Sequence, residues 1–371
     1  MNRGILRQAH TVAVACLLWK ASVRVHCDNR SLPREFTVRR IRFAWFAVFS
    51  AVLLAGAGRA EAEDISGVIA TTKVIYENSR LVGNVACTTA DGPGIDFGAS
   101  GITLRLNGFT MTGPGDPDAT PDPTNPGAFC NPTSGGVQAD GIRVSDIAQG
   151  HAMSRSRILG PGMVQKFRRH GIFILGSTGV ATRARVRQVV SHHNCFSGIF
   201  LNTVSESVVE ENASVRNASN STTAPCGGSC IVNSHNNRIR RNHFAGNGSV
   251  SNGNNDFGVG LIMSSSGNLI EDNSIGGNTN GILIQAAAAN NLIRRNVIAG
   301  NPPSQVSRTF GSAIGFDVKD ESAVPGSGAR NTFQGNLCVT YFGPGPAVCP
   351  SFPSSGSLGD HRDADDPDRR D

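Results

Sequence analysis

The feature that most constrains this chain is an asparagine that returns every five residues. The segments SVVEENASVRN (207–217), NRIRRNHFAGN (237–247), NLIEDNSIGGN (268–278) and NLIRRNVIAGN (291–301) align without gaps, and NTFQGN (331–336) is a partial fifth. The middle three read Asn-x-Ile-x-x-Asn-x-(Phe/Ile)-x-x-Asn, and the first departs from this at Ser207 and Ser214. A period of five matches neither the 3.6 of a helix nor the 2 of a long strand. It fits short strands separated by sharp turns. Asn adopts left-handed backbone more readily than most residues, and its amide bonds neighbouring backbone. At equivalent positions of stacked coils such amides can form ladders. The key positions Asn212, Asn242, Asn273, Asn296 and Asn331 are 30, 31, 23 and 35 residues apart, so one coil takes about 23 residues and loops absorb the rest. A single coil cannot bury its own apolar face; stacking builds one continuous interior.

A second element recurs as Gly171-Ile-Phe-Ile-Leu, Gly198-Ile-Phe-Leu, Gly260-Leu-Ile-Met and Gly281-Ile-Leu-Ile. The first clear coil is read at Gly101 to Thr112, and coils resume at Asp140-Gly-Ile-Arg-Val. The expected fold is all-β: a single-domain right-handed parallel β-helix, a solenoid of about ten coils over residues 63–349. Loop insertions are expected at 113–136, 218–229, 249–257, 302–312 and 320–330. The Ser-, Pro- and Asp/Arg-rich residues 350–371 read as a disordered tail. A leucine-rich framework, a calcium-binding Gly-Gly-x-Gly-x-Asp repeat and a hexapeptide left-handed helix are all absent.

Residues 1–62 read as a leader. Arg39, Arg40 and Arg42 precede the apolar run Phe43 to Leu54, and Ala60-Glu61-Ala62 supplies a small-x-small cleavage pattern. This predicts a signal peptide at 38–62, with residues 1–37 an over-extended start. The mature chain would be secreted, periplasmic or in the cell envelope, without a membrane span. The formal charge of +6 is misleading: ten of the 34 Lys/Arg and three of the 28 Asp/Glu lie in the leader, leaving 24 basic and 25 acidic side chains beyond it. On that count nucleic acid is not an expected partner.

Export permits disulfides. Loop proximity predicts Cys226–Cys230 and Cys338–Cys349, with Cys87–Cys130 a weaker pairing and Cys195 left as a small buried hydrophobe. A zinc site at His192, His193 and Cys195 lacks a spaced partner set.

The segment ITLRLNGFTMTG, followed by GIRV, HGIFI and the Asn-spaced coils, resembles the secreted parallel β-helix repeat proteins, the pectate-lyase-like superfamily with its NosD-type and CASH domains. The resemblance covers about residues 65–340. It implies the fold and leaves the activity open, because members include polysaccharide lyases, hydrolases, uronan epimerases and non-catalytic surface proteins. The Asn-Thr-Asp, Gly-His-Asp, Arg-Ile-Lys and Asp-Pro-His signatures of the enzymes are missing.

In such enzymes substrate lies along an outward strand face. The outward positions are read as Arg143, Phe173, Phe200, Ile262, Leu283 and Gly315, followed two residues on by Ser145, Leu175, Asn202, Ser264, Gln285 and Asp317. Asp140 and His170 each precede a strand-opening Gly, thirty residues apart, so one coil of separation would stack them at about 5 Å. A carboxylate orienting a His base suits proton abstraction from a uronic acid, with Arg143 or Arg169 neutralising the substrate carboxylate. The plainer alternative is two polar turn residues at a strand entrance. Asp317, Lys319 and Asp320 form a second cluster, with Asp317 the catalytic candidate. Phe173 and Phe200 are the candidate stacking platforms, and Asn202 a further substrate contact. No cofactor is expected; calcium at Asp317 and Asp320, approached by Asp256, is the alternative. The chain is expected to be a monomer. Two functions stay open: a non-catalytic envelope scaffold or carbohydrate-binding module, and a polysaccharide lyase or uronan epimerase acting on an anionic polysaccharide.

Overall fold

The computed structural model describes residues 62–89, 92–115, 139–145, 153–218, 227–248, 256–301, 305–306, 313–322, 331–343 and 349. Nearly all of the expected leader, most of the 113–136 insertion and the 350–371 tail lie outside them. Regular structure among the described residues is entirely β. A ten-stranded parallel sheet runs from Lys73–Ile75 to Tyr341–Phe342. A sixteen-stranded sheet forms two strips, joined where long strands such as Arg157–Gln165 and Arg185–His192 run through both. A short antiparallel pair, Gln305–Val306 with Ala313–Ile314, stands apart.

Strand period explains the stacking. In Ile142–Val144 the first and third residues face inward and Arg143 outward. In-register pairing then lines up Ile95, Ile142, Ile172 and Ile199 as one buried column. The first strip of the larger sheet does the same with Ile158, Val186, Val209, Ile239, Ile270 and Ile293. Burying each such side chain contributes roughly 1.5–3 kcal/mol. Ser191 and Ser214 interrupt the second strip's column, but their hydroxyls donate to the carbonyls of Gly198 and Gly228, at 2.9 and 2.7 Å. The first copy's irregularity is thereby satisfied.

The glycine that opens these strands is required by close approach. A Cβ on Gly141 or Gly228 would lie 2.5 Å from the carbonyl oxygen of Gly171 or Gly258 in the next coil. The same register corrects one strand entrance. Gly258, and not Gly260, pairs with Gly281 at the opening, and Asp317 takes that position in the following coil.

The five-residue period resolves into three asparagine ladders. One joins Asn237, Asn268, Asn291 and Asn331; a second Asn212, Asn242, Asn273, Asn296 and Asn336; a third Asn194, Asn217, Asn247, Asn278 and Asn301. Asn331 therefore does not continue the row of Asn296; Asn336 does. Each amide carbonyl accepts two bonds. The Oδ1 of Asn242 takes the backbone N–H of Asn212 at 2.9 Å and its Nδ2 at 3.0 Å. The Nδ2 of Asn242 donates to the Val209 carbonyl and to Asn273. The left-handed backbone falls one residue earlier than the sequence suggests, at Glu211, Arg241, Asp272 and Arg295. Asparagine is selected here for its side-chain amide, which fills a buried corner with matched donors and acceptors.

Cys338 and Cys349 form the expected disulfide. The other cysteine readings are corrected. Cys87 and Cys230 are free and buried, which excludes Cys87–Cys130 and Cys226–Cys230. Cys195 is disulfide-bonded, to a partner outside the described residues. Strand Gly227–Val232 also begins inside the expected 218–229 loop, and Val318–Asp320 reaches the start of the 320–330 loop.

Candidate functional site

The ten-stranded sheet brings most of the candidate residues together on its outer face. Its outward row reads Asp96, Arg143, Phe173, Phe200, Cys230, Gly260, Leu283 and Lys319. Ile262 and Gly315 do not belong to it. One position before each opening glycine, a second row stacks Asp140, His170 and Ser197 in three successive coils. Asp140 and His170 are thus neighbours across one coil, as their spacing predicted.

Their bonding is not that of a base and its orienting acid. The Oδ1 of Asp140 accepts the backbone N–H of His170 at 3.2 Å. The Nδ1 of His170 in turn accepts the backbone N–H of Ser197, also at 3.2 Å. Each side chain caps the next coil's amide, whereas the ladder asparagines cap the amide of the preceding coil. With Nδ1 an acceptor, neutral His170 carries its proton on Nε2. All three residues are buried. The imidazole stacks on Phe200 at 4.3 Å and on Phe173 at 5.7 Å, with Phe196 edge-on at 5.8 Å.

Burial dominates the electrostatics. It pushes the Asp140 carboxyl up to about 6, against the pull of the Arg169 guanidinium and the His170 amide. It holds His170 well below the usual imidazole range, and Arg169 adds to that shift. Both groups are displaced toward their neutral forms. The Oδ2 of Asp140 has no hydrogen-bond partner and lies 3.8 Å from Arg169.

The remaining candidates divide. Arg143 is held by Asp96 through two contacts, Nε to Oδ1 at 3.2 Å and Nη2 to Oδ2 at 2.5 Å. Arg169 is half-exposed over the Phe173 ring, 5.1 Å from its centroid. Phe173 itself is buried, so its ring is not an open platform, and Phe200 is half-buried against His170. Asn202 sits two residues beyond Phe200, its Oδ1 accepting the Thr203 hydroxyl. Asp317 is elsewhere: it closes the opening row at the far end of the sheet. Its Oδ2 accepts the amides of Val339 and Thr340, and its Oδ1 accepts the Nδ2 of Asn301, the last rung of the third ladder. Both oxygens are thus committed to the backbone and ladder. Asp320 is bound by the amide and hydroxyl of Ser322. Among the described residues no three His, Cys, Asp or Glu side chains converge as a metal site. His192 and His193 contact each other, Nδ1 to Nδ1 at 3.2 Å. No helix among the described residues is long and apolar enough to cross a membrane.

Residues 127–337, more than half of the chain, match the family model of the right-handed β-helix region. The chain belongs to the right-handed β-helix family. No curated protein sequence matches it. Solved structures with a similar fold include the Dettilon tailspike protein, at 17% identity and a TM-score of 0.36 over 65% of this chain and 43% of that one. Tailspike protein 2 of an Escherichia coli bacteriophage aligns at 12% and 0.43, over 76% and 38%. A mannuronan C-5 epimerase A-module of Azotobacter vinelandii aligns at 14% and 0.39, over 79% and 90%. This β-helix therefore spans about two fifths of the tailspike chains it matches. Likenesses this distant show the fold alone.

Two members of the site escaped the sequence reading. Ser197 carries the same signal as its neighbours, since Asp140-Gly-Ile, His170-Gly-Ile and Ser197-Gly-Ile open successive β-helix coils. Asp96 stands in Gly94-Ile-Asp-Phe, the same strand motif one coil before Arg143.

Proposed function

We propose that this protein is an exported, non-catalytic β-helix module that binds acidic carbohydrate. The observation that carries the reading is the bonding of Asp140, His170 and Ser197. All three are buried; His170 Nδ1 and Asp140 Oδ1 are spent on backbone amides, and the remaining Asp140 oxygen is out of reach of a surface ligand, so none is poised to take a proton from a bound sugar. The outer row beyond them is buried at Phe173, Cys230, Leu283 and Lys319, which leaves little open groove on that sheet. Arg169 remains as a half-exposed cation, and Arg143 is committed to Asp96. The lyase or epimerase alternative needs a general base at an accessible surface.

Incubating the mature chain with alginate and polygalacturonate, with and without calcium, separates the two. Retarded migration in gels containing acidic polysaccharide is expected, with no ultraviolet absorbance from unsaturated uronides and no C5 inversion by proton NMR. Either product, abolished by His170→Ala, would establish the enzyme instead.

A further inference from the structure

The first strip of the sixteen-stranded sheet carries a charge pattern that bulk composition hides. Its coils present outward the first and third residues of each strand, together with the flanking turn residues. One coil offers Arg183, Arg185 and Arg187, and the next Glu206, Glu210 and Glu211. Arg238, Arg240 and Arg241 follow, then Glu271 and Asp272, then Arg294 and Arg295. Across these five coils the sign alternates coil by coil. In-register stacking sets these rows about 4.8 Å apart, so a uniform sign would place like charges face to face.

Pairing within the strip is uneven. Buried Glu210 is met by Arg185, by Arg240 at 2.9 Å and by Arg241 at 3.3 Å. Glu271 and Asp272 are met by Arg294 and Arg295 at 2.7 to 3.1 Å. With Arg105, Arg155 and Arg157 on the two preceding coils, these seven coils hold eleven arginines against five carboxylates, a surplus of six positive charges, and Arg80 on the strand before them is paired with Asp64. Arg105, Arg155, Arg157 and Arg238 are exposed and have no ion-pair partner among the described residues. A groove of about 590 Å³ runs beside the strip, lined by Gln188, Glu211, Arg241, His243, Asp272 and Ser274. Residues 63–371 are close to neutral as a whole, so this is a segregated basic face.

We infer that a linear acidic polysaccharide docks lengthwise on this strip, its anionic groups seated on the exposed arginines of its coils, Arg105, Arg157 and Arg238 among them. The inference rests on the carbohydrate-binding reading and gives it a site. Guanidinium groups match carboxylate and sulfate geometry in two-point contacts. Half-buried Leu159, Val208, Leu269 and Leu292, set among the arginines, offer apolar surface to sugar rings. Single-stranded nucleic acid fits less well. No aromatic side chain stands among these outward positions for base stacking, and the acidic coils would face closely spaced phosphates.

The test is titration of the full chain with sodium alginate, neutral dextran and a single-stranded oligonucleotide at two salt concentrations. The variant Arg105→Gln/Arg157→Gln/Arg238→Gln removes only exposed, unpaired charges, and its denaturation curve checks that the fold is intact. Alginate binding by the variant is expected to weaken at least tenfold, with a shallower salt dependence and a larger loss than Arg169→Gln causes. Dextran should not bind. If the triple variant binds like the natural chain while Arg169→Gln loses affinity, the polymer lies on the ten-stranded sheet: the strip inference fails and the proposed function stands. If the natural chain binds no alginate, both fail. An oligonucleotide bound more tightly than alginate would overturn the assignment of a polysaccharide.

Discussion

Asn242→Leu is expected to lower unfolding free energy by about 3–5 kcal/mol, because it strands several buried polar groups on the preceding coil. The Asn212 amide and side chain lose their shared acceptor, and the Val209 carbonyl loses its donor. Each such orphan costs about 1–3 kcal/mol when water cannot reach it. Leucine has the same branching as asparagine and is no smaller, so an unfilled cavity is not the cause. Asn202→Ala is the matched control: its side chain lies on the outer face and accepts only the Thr203 hydroxyl. Its effect should stay within about 0.5 kcal/mol. Chemical denaturation followed by far-ultraviolet circular dichroism reads both variants. Equal losses would mean that the ladders contribute no more than an ordinary polar contact.

Asp140→Asn should stabilise the protein at neutral pH, by about 1–3 kcal/mol. A carboxyl whose folded pKa of about 6 lies above its unfolded value holds its proton more tightly when folded. Its charged form therefore costs stability above pH 6, and that cost fades as pH falls toward 4. Asparagine keeps an oxygen to accept the His170 amide and carries no charge to desolvate. The gain over the natural chain should consequently be largest near pH 8 and close to zero near pH 4. Denaturant midpoints at those two values decide it. Loss of stability at pH 8 would mean that the Arg169 contact, at 3.8 Å, outweighs the burial of the charge.

The fold was legible because its signals are local and repeated. Five-residue asparagine spacing and Gly-Ile openings dictate strand length, turn position and the inward column with no long-range information. Register at irregular coils was less legible. Asn331 and Asn336 both satisfy the motif, and only the pairing of Ile293 with Phe333 shows that Asn336 continues the Asn296 row. Gly258 and Gly260 posed the same ambiguity, which shifted the outward row by two residues. Stacking of Asp140 on His170 followed from spacing, but the atoms that each side chain bonds did not. A side chain one position before a glycine can face a ligand or turn back onto the next coil's amide, and sequence carries no sign of which. The alternation of Glu-Glu, Arg-Arg, Glu-Asp and Arg-Arg before successive asparagines was visible in the aligned repeats. Its meaning needed the in-register coils that turn a sequence pattern into a charged face.

Nitrogen-15 NMR of the histidine side chains across pH 5 to 8 addresses the central claim, that Asp140 and His170 cap the backbone amides of His170 and Ser197 and do not move protons. His170 should remain in the Nε2–H form throughout, its Nδ1 shifted as a hydrogen-bond acceptor, with no titration in that range. A midpoint between pH 6 and 7 that moves when Asp140 is replaced by Asn would contradict the account, and would restore the pair as an acid-base dyad.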